Sequence, residues 1–216
     1  MSVNTAKGEA LPKRLVVGVL LLTVAVLGLG GAVIAVRLRP EPLPTNSVDR
    51  EVAIWQAAVE EDPDSSEART GLGFALIAAG RPQEARAALE EAIELDAKNW
   101  SALFQLALLV RDEDPDRSVE LLTRSVKLAP RTQKAPVAVA WGDLLMELDD
   151  PEGAGKAYRV AIADAPYVIE AHVGMARVFE AQGDLEAALA EYRYAARFAP
   201  NDTQLAQEIE RLEAAT

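Results

Sequence analysis

The chain has 216 residues, a formal net charge of −12, an aromatic content of 5% and no cysteine. The lack of cysteine excludes disulfides and thiolate metal sites, and the low aromatic content is unusual for a compact enzyme core of this length. From residue 40 onward 33 acidic residues outnumber 17 basic ones, and because phosphate backbones would repel such a segment, no nucleic-acid partner is expected.

The first predicted element is a transmembrane helix at residues 15–36, which follows an N-terminal tail at residues 1–14. Its 22 residues carry no charge. At 1.5 Å per residue they form a helix of about 33 Å, enough to cross a hydrocarbon core of about 30 Å. A cleaved signal peptide is the alternative, but the apolar run of such peptides is shorter, about 7–15 residues. The span predicts the lipid bilayer as a partner.

Charges on either side of the span predict its orientation. Lys7, Lys13 and Arg14 precede it, and Arg37 and Arg39 follow it. The positive-inside bias therefore favours a cytoplasmic N-terminus by a small margin. We expect a single-pass protein of the cell membrane whose remaining residues lie outside the cytoplasm.

A proline-rich linker is expected next, at residues 37–47. Prolines occupy alternate positions from residue 40 to residue 44, which removes backbone donors and favours an extended, polyproline-like path. The linker is therefore a semi-rigid spacer between the span and the rest of the chain.

Beyond the linker the chain repeats with a period near 34 residues. Pro166 and Pro200 are 34 residues apart, and so are Tyr158 and Tyr192. Alanine, leucine and glutamate dominate this part, and alternating β-branched runs are absent from it, which is typical of helices. A repeat of this length holds one helical hairpin that buries its apolar face against its neighbours.

The repeated pattern resembles the tetratricopeptide family, in which Leu-Gly and a bulky residue on one helix precede Ala, an aromatic residue and a closing Pro on the next. The resemblance covers residues 48–200 and implies an all-α solenoid of about four hairpins. It also implies a leading helix at residues 48–61 and a C-terminal capping helix at residues 201–216. The positions that carry it are Leu72, Gly73, Ala85 and Leu89; Leu106, Ala107, Ser118, Leu122 and Pro130; Trp141, Gly142, Ala154, Tyr158 and Pro166; and Met175, Ala176, Ala188, Tyr192 and Pro200.

Polar residues mark the expected helix starts. Asp114 and Asp150 each stand directly before a proline, which predicts a capping carboxylate followed by proline at the first helical position. Asp64 and Asn201 each precede a Glu or Gln by three residues, and this spacing predicts a capping box at both.

No constellation of catalytic residues is apparent. The single histidine, His172, falls at a packing position of the repeat, with neither a cysteine nor a second histidine to join it. Adjacent acidic pairs such as Glu90 and Glu91 point in different directions on a helix and form a solvated face. We therefore expect a protein that is not an enzyme, with no cofactor, no metal and no small-molecule substrate.

The resemblance further implies that the first helix of each hairpin lines an inner groove. An apolar groove rimmed by charge suits an amphipathic helix or an extended apolar peptide of a protein partner. The alternative is that its largest apolar residues are covered by the N-terminal helix or linker of the same chain. The expected lining residues are Thr70, Phe74, Ile77, Phe104, Leu108, Arg111, Val139, Asp143, Met146, Val173, Arg177 and Glu180.

This layout is similar to membrane-anchored tetratricopeptide factors of c-type cytochrome maturation and to single-span ancillary proteins of the secretion translocon. The resemblance implies a scaffold that binds a partner during assembly of a membrane or envelope complex. The alternative is a constitutive structural subunit of a larger membrane complex, in which residues 15–36 pack into that complex. A subunit should be scarce without its complex, whereas a scaffold should be soluble and monomeric after removal of residues 1–46.

Overall fold

The computed structural model describes residues 46–215, which form ten α-helices and no strand. The predicted span at residues 15–36 and nearly all of the linker lie outside these residues. Within the described range, no helix has the length and apolar character needed to cross a bilayer. The helices are α1 Ser47–Glu61, α2 Ser66–Ala78, α3 Pro82–Leu95, α4 Trp100–Val110, α5 Pro115–Leu128, α6 Arg131–Glu147, α7 Pro151–Asp164, α8 Ile169–Ala181, α9 Leu185–Ala196 and α10 Thr203–Glu213.

The helices pair into four antiparallel hairpins, namely α2 with α3, α4 with α5, α6 with α7 and α8 with α9. Successive hairpins stack, while α1 packs against α2 and α10 packs against α9. Each end of the array therefore carries one additional helix. The predicted all-helical solenoid of hairpins is confirmed.

Within a hairpin, a small residue on the first helix faces a bulky residue on the second. A Cβ atom placed on Gly73 would lie 2.7 Å from Cδ2 of Leu89, and one on Gly142 would lie 2.6 Å from Cε1 of Tyr158. Real Cβ atoms do not approach carbon this closely, so only glycine fits at this helix separation. The spacing of glycine and bulky residue in the sequence therefore encodes the hairpin contact directly.

The two predicted caps before proline are correct. The Asp114 carboxylate accepts a hydrogen bond from the Arg117 amide at 3.0 Å, and Asp150 accepts one from the Gly153 amide at 2.9 Å. Asp114 and Asp150 are the N-cap residues of α5 and α7, each of which begins with proline. Each cap satisfies an amide that the first turn leaves unpaired.

The two predicted capping boxes are wrong by one residue. The N-cap of α2 is Ser65, whose hydroxyl accepts from the Ala68 amide at 3.1 Å, and the N-cap of α10 is Asp202. The Asp64 amide instead donates to the side chain of Asp62 in the preceding turn, at 3.3 Å. Two adjacent residues are capable of capping at both sites, and the residue directly before the helix reaches the amides of its first turn.

The turns inside the hairpins use left-handed backbone at one position. Gly80 and Gly183 have φ of 69° and 81°, and Asp149 has φ of 59° at the corresponding point of the third hairpin. Asp is among the few residues with a side chain that tolerate this region, at a cost that glycine avoids. The third turn is therefore the most strained of these three.

At two of the three junctions between hairpins, the first helices approach one another more closely than the second helices do. Contacts join α2 to α4 and α6 to α8, whereas no two second helices within residues 46–215 make a comparable contact. Crowding on one side of the stack bends it toward that side. The first helices therefore line the inner, concave face of the solenoid.

Candidate partner-binding groove

Three of the predicted lining residues are large apolar side chains that remain open on the inner face. The exposed fractions are 44% for Phe74, 36% for Ile77 and 39% for Leu108. Phe74 and Ile77 lie on α2 and Leu108 lies on α4, two first helices in direct contact. Phe104, also on α4, is half-buried and packs against the core beneath. These four residues form the apolar half of the groove.

Thr70 lies deeper than the sequence indicates. It is buried, its hydroxyl donates to the Ser66 carbonyl at 2.8 Å, and it accepts from Nδ2 of Asn99 at 2.8 Å. Asn99 is the N-cap of α4, so this network fixes the start of the second hairpin against the first. Thr70 therefore belongs to the contact between hairpins and not to the open groove.

The apolar residues predicted for the second half of the groove are partly buried. Val139 packs against the core of the middle hairpins, and Val173 against the C-terminal core. Met146 packs beside Tyr158. Since these side chains already contact the domain, a partner would touch only their outer edges.

Two tyrosine–carboxylate pairs occupy this second half, and sequence reasoning missed both. The Tyr158 hydroxyl donates to Oδ1 of Asp143 at 2.7 Å, and the Tyr192 hydroxyl donates to Oε1 of Glu180 at 2.9 Å. Burial, and then the hydrogen-bonded carboxylate, raise the pKa of Tyr192 to about 12, and the same causes raise the pKa of Tyr158 further. Both hydroxyls therefore stay protonated near neutral pH and hold Asp143 and Glu180 in place.

Ion pairs connect neighbouring elements along the groove. Arg111, the C-cap residue of α4, pairs with Glu147 at the end of α6, and Arg211 on the terminal helix α10 pairs with Glu180 on α8. The hydrogen bond with Glu147 raises the pKa of Arg111. The charge of Arg177 acts in the opposite direction on the pKa of both tyrosines and offsets a small part of the rise. Arg177 is exposed and has no ion-pair partner within residues 46–215, so its guanidinium is open to a partner.

His172 is buried behind the groove, at the junction of the last two hairpins. Its Nδ1 lies 2.6 Å from Oε2 of Glu191, and its Nε2 lies 3.0 Å from the Pro166 carbonyl. The Tyr194 ring packs over it, with 4.2 Å between ring centroids. These contacts are those of a structural residue. In the described part of the chain, no three His, Cys, Asp or Glu side chains form a group suited to a metal ion.

Models of a known protein family match two stretches of this helical domain. Two tetratricopeptide repeat models match residues 52–108 and 139–203, together more than half of the chain. The chain belongs to the tetratricopeptide repeat family. The first match runs from α1 into α4, and the second from α6 to the start of α10. The unmatched residues between them include α5.

Solved tetratricopeptide structures share the fold of this domain at low sequence identity. A crystal structure of MamA superposes with a TM-score of 0.64 at 20% identity, over 73% of this chain and 91% of the other. YrrB, described as a tetratricopeptide protein with an unusual peptide-binding site, gives 0.67 at 15% identity over 76% and 84%. Pseudomonas aeruginosa pilF gives 0.69 at 16% identity over 78% and 76%. No curated protein sequence matches the chain.

Proposed function

We propose that this protein is a membrane-anchored scaffold that binds a partner's amphipathic helix or extended apolar peptide in its concave groove. The observation that carries the proposal is the exposure of Phe74, Ile77 and Leu108 on two adjoining first helices. Open apolar side chains beside charged ones suit such a ligand. The peptide-binding site described for YrrB supports this use of the fold. Binding is proposed over catalysis because the tyrosine hydroxyls that meet carboxylates in the groove belong to buried side chains and stay protonated near neutral pH.

The membrane anchor in this proposal is the uncharged segment at residues 15–36. Its flanking charges favour a cytoplasmic N-terminus, with the repeat domain outside the cytoplasm of a single-pass cell-membrane protein. The role is then assembly or maturation of a membrane or envelope complex. Maturation of c-type cytochromes and support of the secretion translocon are two settings that this layout resembles.

The orientation is testable because the chain has no cysteine of its own. A single cysteine replaces either Ser2 or Ser47, and intact cells are treated with a membrane-impermeant thiol reagent. We expect labelling at position 47 alone. Labelling at position 2 alone reverses the orientation, and labelling at both positions argues against a span.

The groove is tested by site-specific photo-crosslinking in cells that produce the full chain. A photoreactive amino acid replaces Leu108 in the groove or Leu128 at the end of α5; the two leucines have similar exposures of 39% and 37%. We expect a defined partner adduct from position 108 and none from position 128. An adduct from position 128 alone would move the binding site away from the groove.

A constitutive structural subunit is the second candidate. Ile54 on α1 is 56% exposed and Tyr167 before α8 is 70% exposed, so large apolar side chains are open outside the groove as well. Several docking surfaces are typical of a permanent subunit. If this candidate is correct, depletion of the crosslinked partner makes the protein scarce in the cell. A scaffold keeps its normal abundance in the same experiment.

A further inference from the structure

A cleft of about 250 Å³ opens between α7 and α8. Met175 and Val178 of α8 form its apolar base and are 4% and 2% exposed, with Phe179 beside them. Lys156 and Arg159 of α7 line the other side. The cleft therefore combines an apolar base with two basic side chains.

The cleft lies on the side of α8 that faces away from the concave groove. At about 100° per residue, Met175, Val178 and Gln182 project opposite to the groove positions Val173 and Arg177. A ligand in the cleft would thus leave the groove unoccupied. This site is independent of the proposed function.

The cleft exists because α7 carries glycine where the other second helices carry a side chain. At the fifth position of α3, α5 and α9 stand Arg86, Val119 and Leu189, whereas α7 has Gly155. A Cβ on Gly155 would lie 3.3 Å from Cγ1 of Val178 and 3.8 Å from Nη1 of Arg159. A longer side chain would extend between these two groups and fill the space.

The cleft places two basic side chains side by side in an acidic domain. Within residues 46–215 neither Lys156 nor Arg159 has an ion-pair partner, and both are exposed. By contrast, Arg193, at the position of α9 that corresponds to Arg159, pairs with Glu213 at 2.5 Å. Glu152 is the acidic residue of the lining, so the cleft carries a net positive charge. Unpaired cations beside an apolar base complement an apolar side chain next to a carboxylate.

We propose that this cleft is a second binding site, which takes an apolar side chain flanked by a carboxylate from a segment of a protein partner. The apolar side chain contacts the half-buried Pro151 and Phe179, above the buried Met175 and Val178, and the carboxylate pairs with Lys156 and Arg159. The protein then holds one segment in the groove and another on the opposite side of α8. Two such sites allow it to bridge two segments.

The test measures binding of two synthetic helical peptides to the full chain in detergent micelles, by fluorescence anisotropy. Both peptides have 16 residues with leucines on one face, and they differ in that glutamates flank the leucines in one and glutamines in the other. We expect tighter binding of the glutamate peptide. Lys156→Gln with Arg159→Gln should weaken it about tenfold, because each exposed pair contributes little, and should leave the glutamine peptide unaffected.

Three further variants define the site. Gly155→Leu should abolish the preference for the glutamate peptide by filling the cleft, with thermal unfolding measured to verify the fold. Glu152→Gln should strengthen binding of the glutamate peptide a fewfold. Arg117→Gln with Arg124→Gln on α5 is the matched control and should have no effect, because these cations already contact Glu90 and Glu120.

Several outcomes overturn the proposal. One is equal binding of both peptides that the Lys156 and Arg159 variant leaves unchanged. A second is loss of the preference for the glutamate peptide in the groove variant Ile77→Gln with Leu108→Gln, which would place the carboxylates in the groove. A third is binding of phosphatidylglycerol vesicles, but of neither peptide, through Lys156 and Arg159, which would assign the cleft to a lipid surface.

Discussion

The apolar half of the groove leads to a quantitative prediction for Ile77→Gln combined with Leu108→Gln. Fully burying a leucine or isoleucine contributes about 1.5–3 kcal/mol. Since their exposed fractions are 36% and 39%, a partner gains only about 1 kcal/mol from covering each side chain. A glutamine amide buried without a hydrogen bond costs about 1–3 kcal/mol more. The two substitutions should therefore weaken binding by about 4 kcal/mol or more, roughly a thousandfold in Kd.

Glutamine is chosen because the structure shows these side chains to be mostly buried at their base. The linear stem of glutamine keeps the carbons that pack against the domain. Serine would remove these carbons and destabilise the fold, so a loss of binding could not be distinguished from unfolding. The assay is isothermal titration of the full chain with a synthetic copy of the segment crosslinked at position 108. Thermal unfolding of each variant is measured in parallel.

The matched control is Leu95→Gln combined with Leu128→Gln. These leucines are 41% and 37% exposed at the ends of α3 and α5, on second helices. Their replacement should change Kd less than twofold. Unchanged binding in the groove variant, or an equal loss in the control, would refute the assignment of the groove as the binding surface.

Three other predictions concern stability, measured as the free energy of unfolding in urea. The pKa of Tyr192 is raised to about 12, so the contribution of this side chain to the free energy of unfolding is complete below about pH 10 and is lost as the pH rises through 12. The Tyr192→Phe variant should therefore lose less stability than the wild type at alkaline pH. Asp149→Gly should stabilise by about 0.5 kcal/mol by relieving positive φ, whereas Gly183→Ala should destabilise by about 1 kcal/mol. Gly73→Ala should destabilise by more than about 2 kcal/mol, because the new Cβ overlaps Leu89; an unchanged stability would contradict the tight hairpin contact.

The helical array was predictable because the same contact between the two helices of a hairpin recurs at the same sequence spacing. Gly142 and Tyr158 are separated by 16 residues, as are Gly73 and Leu89, and each pair is in contact across a hairpin. Such a contact depends only on the length of the two helices and the turn between them. The same regularity made the two caps before proline readable from the sequence.

Features that depend on the angle between helices were not predictable. The hydrogen bond from Tyr158 to Asp143 requires side-chain directions that no spacing rule gives, and Thr70 is turned into the contact between hairpins for the same reason. The cleft at Gly155 depends on a valine 23 residues further along the chain. The span at residues 15–36 and its orientation stay predictions from the sequence.

The ion pairs along the groove also determine how easily the solenoid flexes. On the inner face Arg111 pairs with Glu147 and Glu180 pairs with Arg211, and among the second helices Arg117 of α5 pairs with Glu90 of α3. Opening or closing the array pulls the charges of one set apart and meets an electrostatic restoring force. Because added salt screens exposed charges within about 10 Å at 0.1 M, the domain should become more compliant as ionic strength rises. The resistance of the groove to widening therefore depends on the ionic strength of the solvent.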